Sequence, residues 1–113
     1  MAVTVIWHNP RCSKSRETLK LLEARGIAPG VRLYLQDPPS AAELHAALAA
    51  LGRPAADLIR WGEPAARALG RSAPEADLVA AMAATPALIE RPLVIHGSRA
   101  ALGRPPEAVL ALF

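Results

Sequence analysis

Cys12 is the sole cysteine of the chain and stands in the stretch His8-Asn9-Pro10-Arg11-Cys12-Ser13-Lys14-Ser15-Arg16. Arg11, Lys14 and Arg16 all lie within four positions of the sulfur. Positive charge favours the thiolate, which is the nucleophilic form. A helical pattern begins at Ser13, so the sulfur falls at a helix N-terminus, where unpaired backbone N–H groups and the dipole also favour an anion. Thiols placed in this way drop from about 8.5 to between roughly 3.5 and 7.5. The same donors can cradle an oxyanion. A lone cysteine is often a small buried hydrophobe, but proline, arginine, serine and lysine are poor company for a core position. The neighbours favour a reagent over packing material.

The spacing does not fit two common thiol chemistries. A cysteine phosphatase loop needs an arginine after five intervening residues, and that position is Thr18. A thioredoxin-type pair needs a second cysteine three positions on, and that position is Ser15. Cys12 is a nucleophile without an internal resolving partner, so redox chemistry there needs a thiol from outside.

These residues need elements to hold them. Val3 to Trp7 is an apolar, β-branched run suited to a buried strand, ended by Asn9-Pro10. From Ser13 the spacing predicts a helix with Leu19, Leu22 and Ala24 near one face, stopped at Gly26. Val31 to Leu35 alternates and predicts a second strand, closed by Asp37-Pro38-Pro39. Strand, helix and strand in this length make a βαβ unit. Ser40 with Glu43 predicts a capped helix ending at Gly52, and Ser72 with Glu75 a second one to about Ala84. Shorter helical segments are expected from Pro54 through Arg60 and from Pro64 to Leu69. Pro92 to His96 predicts a strand, with Ala100 to Leu102 as its hairpin partner across Gly97-Ser98. Pro105 suits the first turn of a helix running to Phe113. The order βαβ, helices, ββα implies an α/β fold with a mixed four-stranded sheet and helices on both faces. That is the layout of a thioredoxin-like fold with a helical insertion at about residues 40–90, and residues 1–113 are expected to form one domain.

Composition narrows the class. Hydrophobic residues make up 52% of the 113 and charged ones 20%, which is globular, while a 4% aromatic share leaves the core to Leu, Val, Ile and Ala. The net charge of +3, with a pI near 9.8, is carried mostly by scattered arginines. No run of five or six like charges appears, which argues against a nucleic-acid tail and suits discrete anion sites. No Cys/His spacing fits a metal, and no signal segment or bilayer-length apolar run is present. The expectation is a cytoplasmic protein with no membrane contact, in a reducing compartment where a free thiol survives.

HNPRCSKSRETL at 8–19, Glu90-Arg91-Pro92 and the GRPPE run from Gly103 to Glu107 together resemble the glutaredoxin-coupled arsenate reductase family, the short bacterial ArsC-type branch. The resemblance runs from Val5 to Leu112, with the blocks in the same order and spacing. It implies a thioredoxin-like fold, with Cys12 as nucleophile and Arg60, Arg91 and Arg104 as oxyanion-binding arginines. His8, Asn9 and Ser15 match the residues that support the thiolate. Pro92 matches a cis-proline; only X–Pro bonds take the cis form at modest cost. The implied chemistry is attack of Cys12 on arsenate, loss of water, and resolution of the adduct by glutathione and glutaredoxin to give arsenite. Glutathione is a co-substrate, and no bound cofactor is implied. Arginines suit the oxyanion because their planar donors bind oxygens in pairs and stay charged. Ser13-Lys14 departs from the Gly-Thr of the plasmid type, which bears on substrate preference.

Apart from the resemblance, these residues have plainer readings. Arg60 on a short helix could be solvated, and Arg91 and Arg104, each before a proline, could be surface residues beside turns. His8 could be an ordinary loop histidine, and Ser15 could donate to the thiolate or face water. Trp7 is expected in the core, and Trp61 at the mouth of the site or against the insertion. His45 and His96 have no acidic or cysteine partner at useful spacing and read as structural. Two other functions fit the same residues. One is a partner-binding protein similar to the Spx regulators that bind RNA polymerase, although Ser15 stands where many of those carry a second cysteine. The other is a glutathione-dependent thiol protein with a different substrate. Pull-down of the polymerase separates the first from an enzyme, and arsenate turnover separates the second.

Overall fold

Four short strands form the frame that carries Cys12. In a computed structural model, which describes residues 3–113, β1 (Thr4–Trp7), β2 (Gly30–Arg32), β3 (Leu93–His96) and β4 (Arg99–Leu102) make one sheet in the order β2-β1-β3-β4. β2 runs parallel to β1, while β1/β3 and β3/β4 are antiparallel. The order βαβ, ββ and a terminal helix, interrupted between β2 and β3, is that of a thioredoxin-like α/β fold. The chain divides into two compact units, one formed by the chain up to Asp37 with Arg91–Phe113, the other by Pro38–Glu90.

In the first unit Ile6 and Val94 stand opposite each other in the β1/β3 register. They form a core with Leu22, Val109 and Leu112, flanked by Leu19, Ile27 and Ala101. Burying each such side chain contributes about 1.5–3 kcal/mol. Leu19 and Leu22 come from α1 (Ser13–Ala24), and Val109 and Leu112 from the terminal segment. α1 ends as its sequence requires. Gly26 takes φ +76°, its N–H donates to Glu23 O, and the Ile27 N–H reaches back to Leu22 O. That six-to-one bond satisfies an orphan carbonyl and turns Ile27 onto the core.

The second unit holds α2 (Ala41–Leu51) and α3 (Glu75–Ala84), which pack on each other; Leu44 and Leu48 of the one and Leu78 and Met82 of the other are buried. Ser40 and Glu43 close a reciprocal capping box at the start of α2, and Gly52 ends it at φ +69°. Among the described residues no helix is long and apolar enough to cross a membrane.

Several elements differ from expectation for identifiable reasons. β2 stops at Arg32 because the Leu33 carbonyl accepts the N–H groups of Gln36 and Asp37, turning the chain. Ser72 does not cap α3; Pro74 takes the N-cap position, and the Glu75 carboxylate accepts the Ala55 N–H instead, at 2.8 Å. The segment from Pro54 to Arg60 is helical only over Ala55–Asp57. Arg60 lies beyond it, because Ile59 and Ile89 form an antiparallel bridge and the Arg60 N–H donates to Leu88 O. Pro64–Ala68 and Pro106–Leu112 wind as the tighter 3-10 helix.

Candidate active site

Cys12 is the N-cap of α1, with extended backbone (φ −93°, ψ 122°), and is partly buried. Its N–H donates to Asn9 O, while Asn9 Oδ1 accepts the Arg11 N–H at 3.0 Å. The loop from residue 9 to residue 12 is thus a tight turn feeding the helix, the geometry that asparagine before proline favours. Arg16 staples its outer side by donating Nη1 to Pro10 O at 2.9 Å.

A buried polar group holds the turn from beneath. Ser15, with no exposed surface, accepts the Asn9 N–H at its Oγ, 3.0 Å away, and lies 2.6 Å from His8 Nδ1. With one lone pair taken by Asn9, the hydroxyl keeps a second lone pair and its proton, so Nδ1 of a neutral His8 ring either donates to it or accepts from it. Burial, with the nearby charge of Arg16, holds the His8 pKa below the usual histidine value and favours that neutral ring. The Ser15 hydroxyl is thus buried away from water, against His8 and the Asn9 amide.

The thiol itself is pulled both ways. Partial burial pushes its pKa up, but the amides of Ser15 and Lys14 and the charges of Arg104 and Arg91 outweigh this, and it lies below the ordinary value. Those amides belong to the first turn of α1 and favour the anion over the thiol. Arg104 Nη2 stands 3.6 Å from Cys12 Sγ, and its Nε donates to Arg91 O at 2.7 Å. The Arg91–Pro92 peptide is cis, as is Arg104–Pro105. An anion that forms on sulfur, or that approaches it, meets two helix amides and two guanidiniums.

The structure thus brings together His8, Asn9, Cys12, Ser15, Arg91 and Arg104 in the first unit. Arg60 belongs to the second unit, where its guanidinium faces Glu63 at 3.8 Å and Glu90 at 3.9 Å. Two residues take parts that the motif did not assign to them. Arg16 holds the turn and charges the environment of His8. Gly103 lies against Thr18 and Pro92; a glycine between a strand end and an arginine is a signal for close backbone approach. Trp7 is buried with Arg32 5.8 Å from its ring, and Trp61 donates Nε1 to Ala56 O at 2.9 Å. His96 Nδ1 lies 2.8 Å from Thr4 Oγ1, with the Phe113 ring 4.6 Å away, and His45 is exposed.

A family model described as ArsC family matches residues 7–112. The chain belongs to the ArsC family. Within it, the chain is 44% identical to a Haemophilus influenzae protein named arsenate reductase, over 96% of this chain and 97% of that one. It is 47% identical to the uncharacterized protein YfgD of Escherichia coli, over 95% and 93%. A solved structure of an arsenate reductase from Vibrio cholerae superposes with a TM-score of 0.94 at 45% identity, covering 99% of this ArsC chain and 98% of that one.

Proposed function

We propose that the chain reduces arsenate to arsenite, with Cys12 as the nucleophile. The observation that carries this reading is the Arg104 guanidinium 3.6 Å from the Cys12 sulfur, at the N-terminus of α1, in a member of the ArsC family. Relatives of nearly the same length bear the name arsenate reductase. Arg91 and Arg104 hold the oxyanion oxygens and stay charged throughout. The thiolate attacks arsenic, an S–As bond forms, and one arsenate oxygen leaves as water after taking up protons. Arsenic is thiophilic, so a ready thiolate matters more than a strong general base. Glutathione then attacks arsenic and a second oxygen leaves as water; a glutaredoxin thiolate attacks the glutathione sulfur, and the electron pair of that S–As bond stays on arsenic. The two thiol sulfurs become a mixed disulfide as arsenic falls from the +5 to the +3 state, and water displaces Cys12, which returns as thiolate while arsenite leaves. The resemblance extends the oxyanion-binding role to Arg60. No bound cofactor enters, and the glutathione requirement fits a cytoplasmic setting.

The test is NADPH oxidation coupled through glutathione reductase, with glutathione, glutaredoxin and arsenate, for wild type and Cys12→Ser. Arsenate-dependent turnover that disappears in the serine variant is expected. A wild type without arsenate-dependent turnover, or a serine variant that keeps it, sinks the reading.

A further inference from the structure

Gly103 has almost no room for a side chain. A Cβ there would stand 2.5 Å from Thr18 Oγ1, 2.6 Å from Pro92 Cγ and 3.1 Å from Pro92 Cδ. Carbon contacts are optimal near 3.5–4.0 Å, so something must move. Neither neighbour yields easily. Thr18 is fully buried on α1 and donates its hydroxyl to Lys14 O at 2.8 Å. Pro92 is buried and is tied to Gly103 itself, whose N–H donates to Pro92 O at 2.9 Å. The backbone of Gly103 is not left-handed, so the demand is for space and not for an unusual φ.

That contact joins the three parts of the site. Thr18 belongs to the helix whose N-cap is Cys12. Pro92 follows Arg91, and Arg104 follows Gly103 while gripping Arg91 O with Nε and reaching Cys12 Sγ with Nη2. We infer that Gly103 is a positioning residue: its missing side chain sets how near the two arginines come to the Cys12 sulfur. This rests on the reading of Cys12 as the working thiolate, but not on arsenate being its substrate.

The experiment is the pH dependence of Cys12 alkylation by iodoacetamide, with circular dichroism as the check of folding. It compares wild type, Thr18→Ala, Gly103→Ala and Gly103→Ala/Thr18→Ala. In folded Gly103→Ala the thiol pKa is expected to rise by about one unit, which lowers the thiolate fraction near neutrality by up to about tenfold. The double variant removes the nearest clash and is expected to recover part of that shift. A folded Gly103→Ala with the wild-type thiol pKa, even if less heat-stable, overturns the inference, because a purely structural glycine would lower stability alone. If Gly103→Ala does not fold, the double variant carries the test: a pKa above that of Thr18→Ala supports the inference, and an equal one overturns it. Unfolding of both glycine variants assigns Gly103 to the fold and overturns it as well. Wild type without arsenate turnover counts against the proposed function and leaves the alkylation result standing.

Discussion

Arg104 spends one guanidinium on two tasks, gripping the Arg91 carbonyl with Nε and facing the Cys12 sulfur with Nη2. A lysine can keep the charge but not both contacts. Arg104→Lys is therefore expected to raise the thiol pKa less than Arg104→Gln does, while both weaken apparent arsenate affinity. Alkylation rates across pH, with KM from the coupled assay, check this. Because Arg104 is exposed, the pKa difference between wild type and Arg104→Gln is expected to shrink as salt rises from low to molar concentration, where charges are screened within about 3 Å. At this scale the thiol itself was legible, since the residues that announce it lie within four positions of Cys12. The arginines were not legible from local chemistry. Cys12 and Arg104 are 92 positions apart, and only the family resemblance joined them. The hydroxyl of Ser15 was out of reach for a similar reason. Its direction depends on His8 and on the Asn9 amide, which the turn folds back onto the helix.

Among the elements, the ends of the helices are where local sequence spoke most clearly. Gly26 and Gly52 both sit at positive φ just past α1 and α2, and the Ser40–Glu43 box forms as its spacing implies. Gly26→Ala is expected to cost roughly 1–2 kcal/mol through the left-handed backbone. Ser40→Ala is expected to cost about 1 kcal/mol through the lost cap. Urea unfolding monitored by circular dichroism measures both. The same capping pattern misled at Ser72 and Glu75, because a pattern of residue types does not reveal competing partners. Glu75 is claimed by the Ala55 N–H, twenty positions away. The local pattern likewise carries a helix through Arg60 where the chain stops it at Asp57, since the bridge between Ile59 and Ile89 is a long-range pairing with no local mark. Strand and helix periods could be read along the chain, whereas side-chain claims on distant backbone could not.

For the molecule as a whole, the two depressed pKa values set a direction for stability against pH. Folding keeps His8 neutral, so below about 6.5 the unfolded chain takes up a proton that the folded one resists. Stability is expected to fall as pH drops through that value. Folding also favours the Cys12 anion, so that contribution is fully present above about 8.5 and is lost as pH falls to the folded thiol's own pKa. Both act in the same sense, and unfolding midpoints are expected to rise from mildly acid to mildly alkaline pH. Cys12→Ser flattens the upper part of that rise and His8→Asn the lower part; parallel curves for all three proteins would contradict the assignment. The four-stranded mixed sheet was legible from the order of strands and helices, since few topologies accommodate βαβ followed by a hairpin. The order of the chain has one more consequence. β1 lies between β2 and β3, and β3, β4 and both site arginines come from the last stretch after Glu90. Cys12 therefore gains its two guanidiniums only when the segment after Glu90 is seated on β1, and any opening of β3 and β4 leaves a duller thiol, slower to react with oxidants.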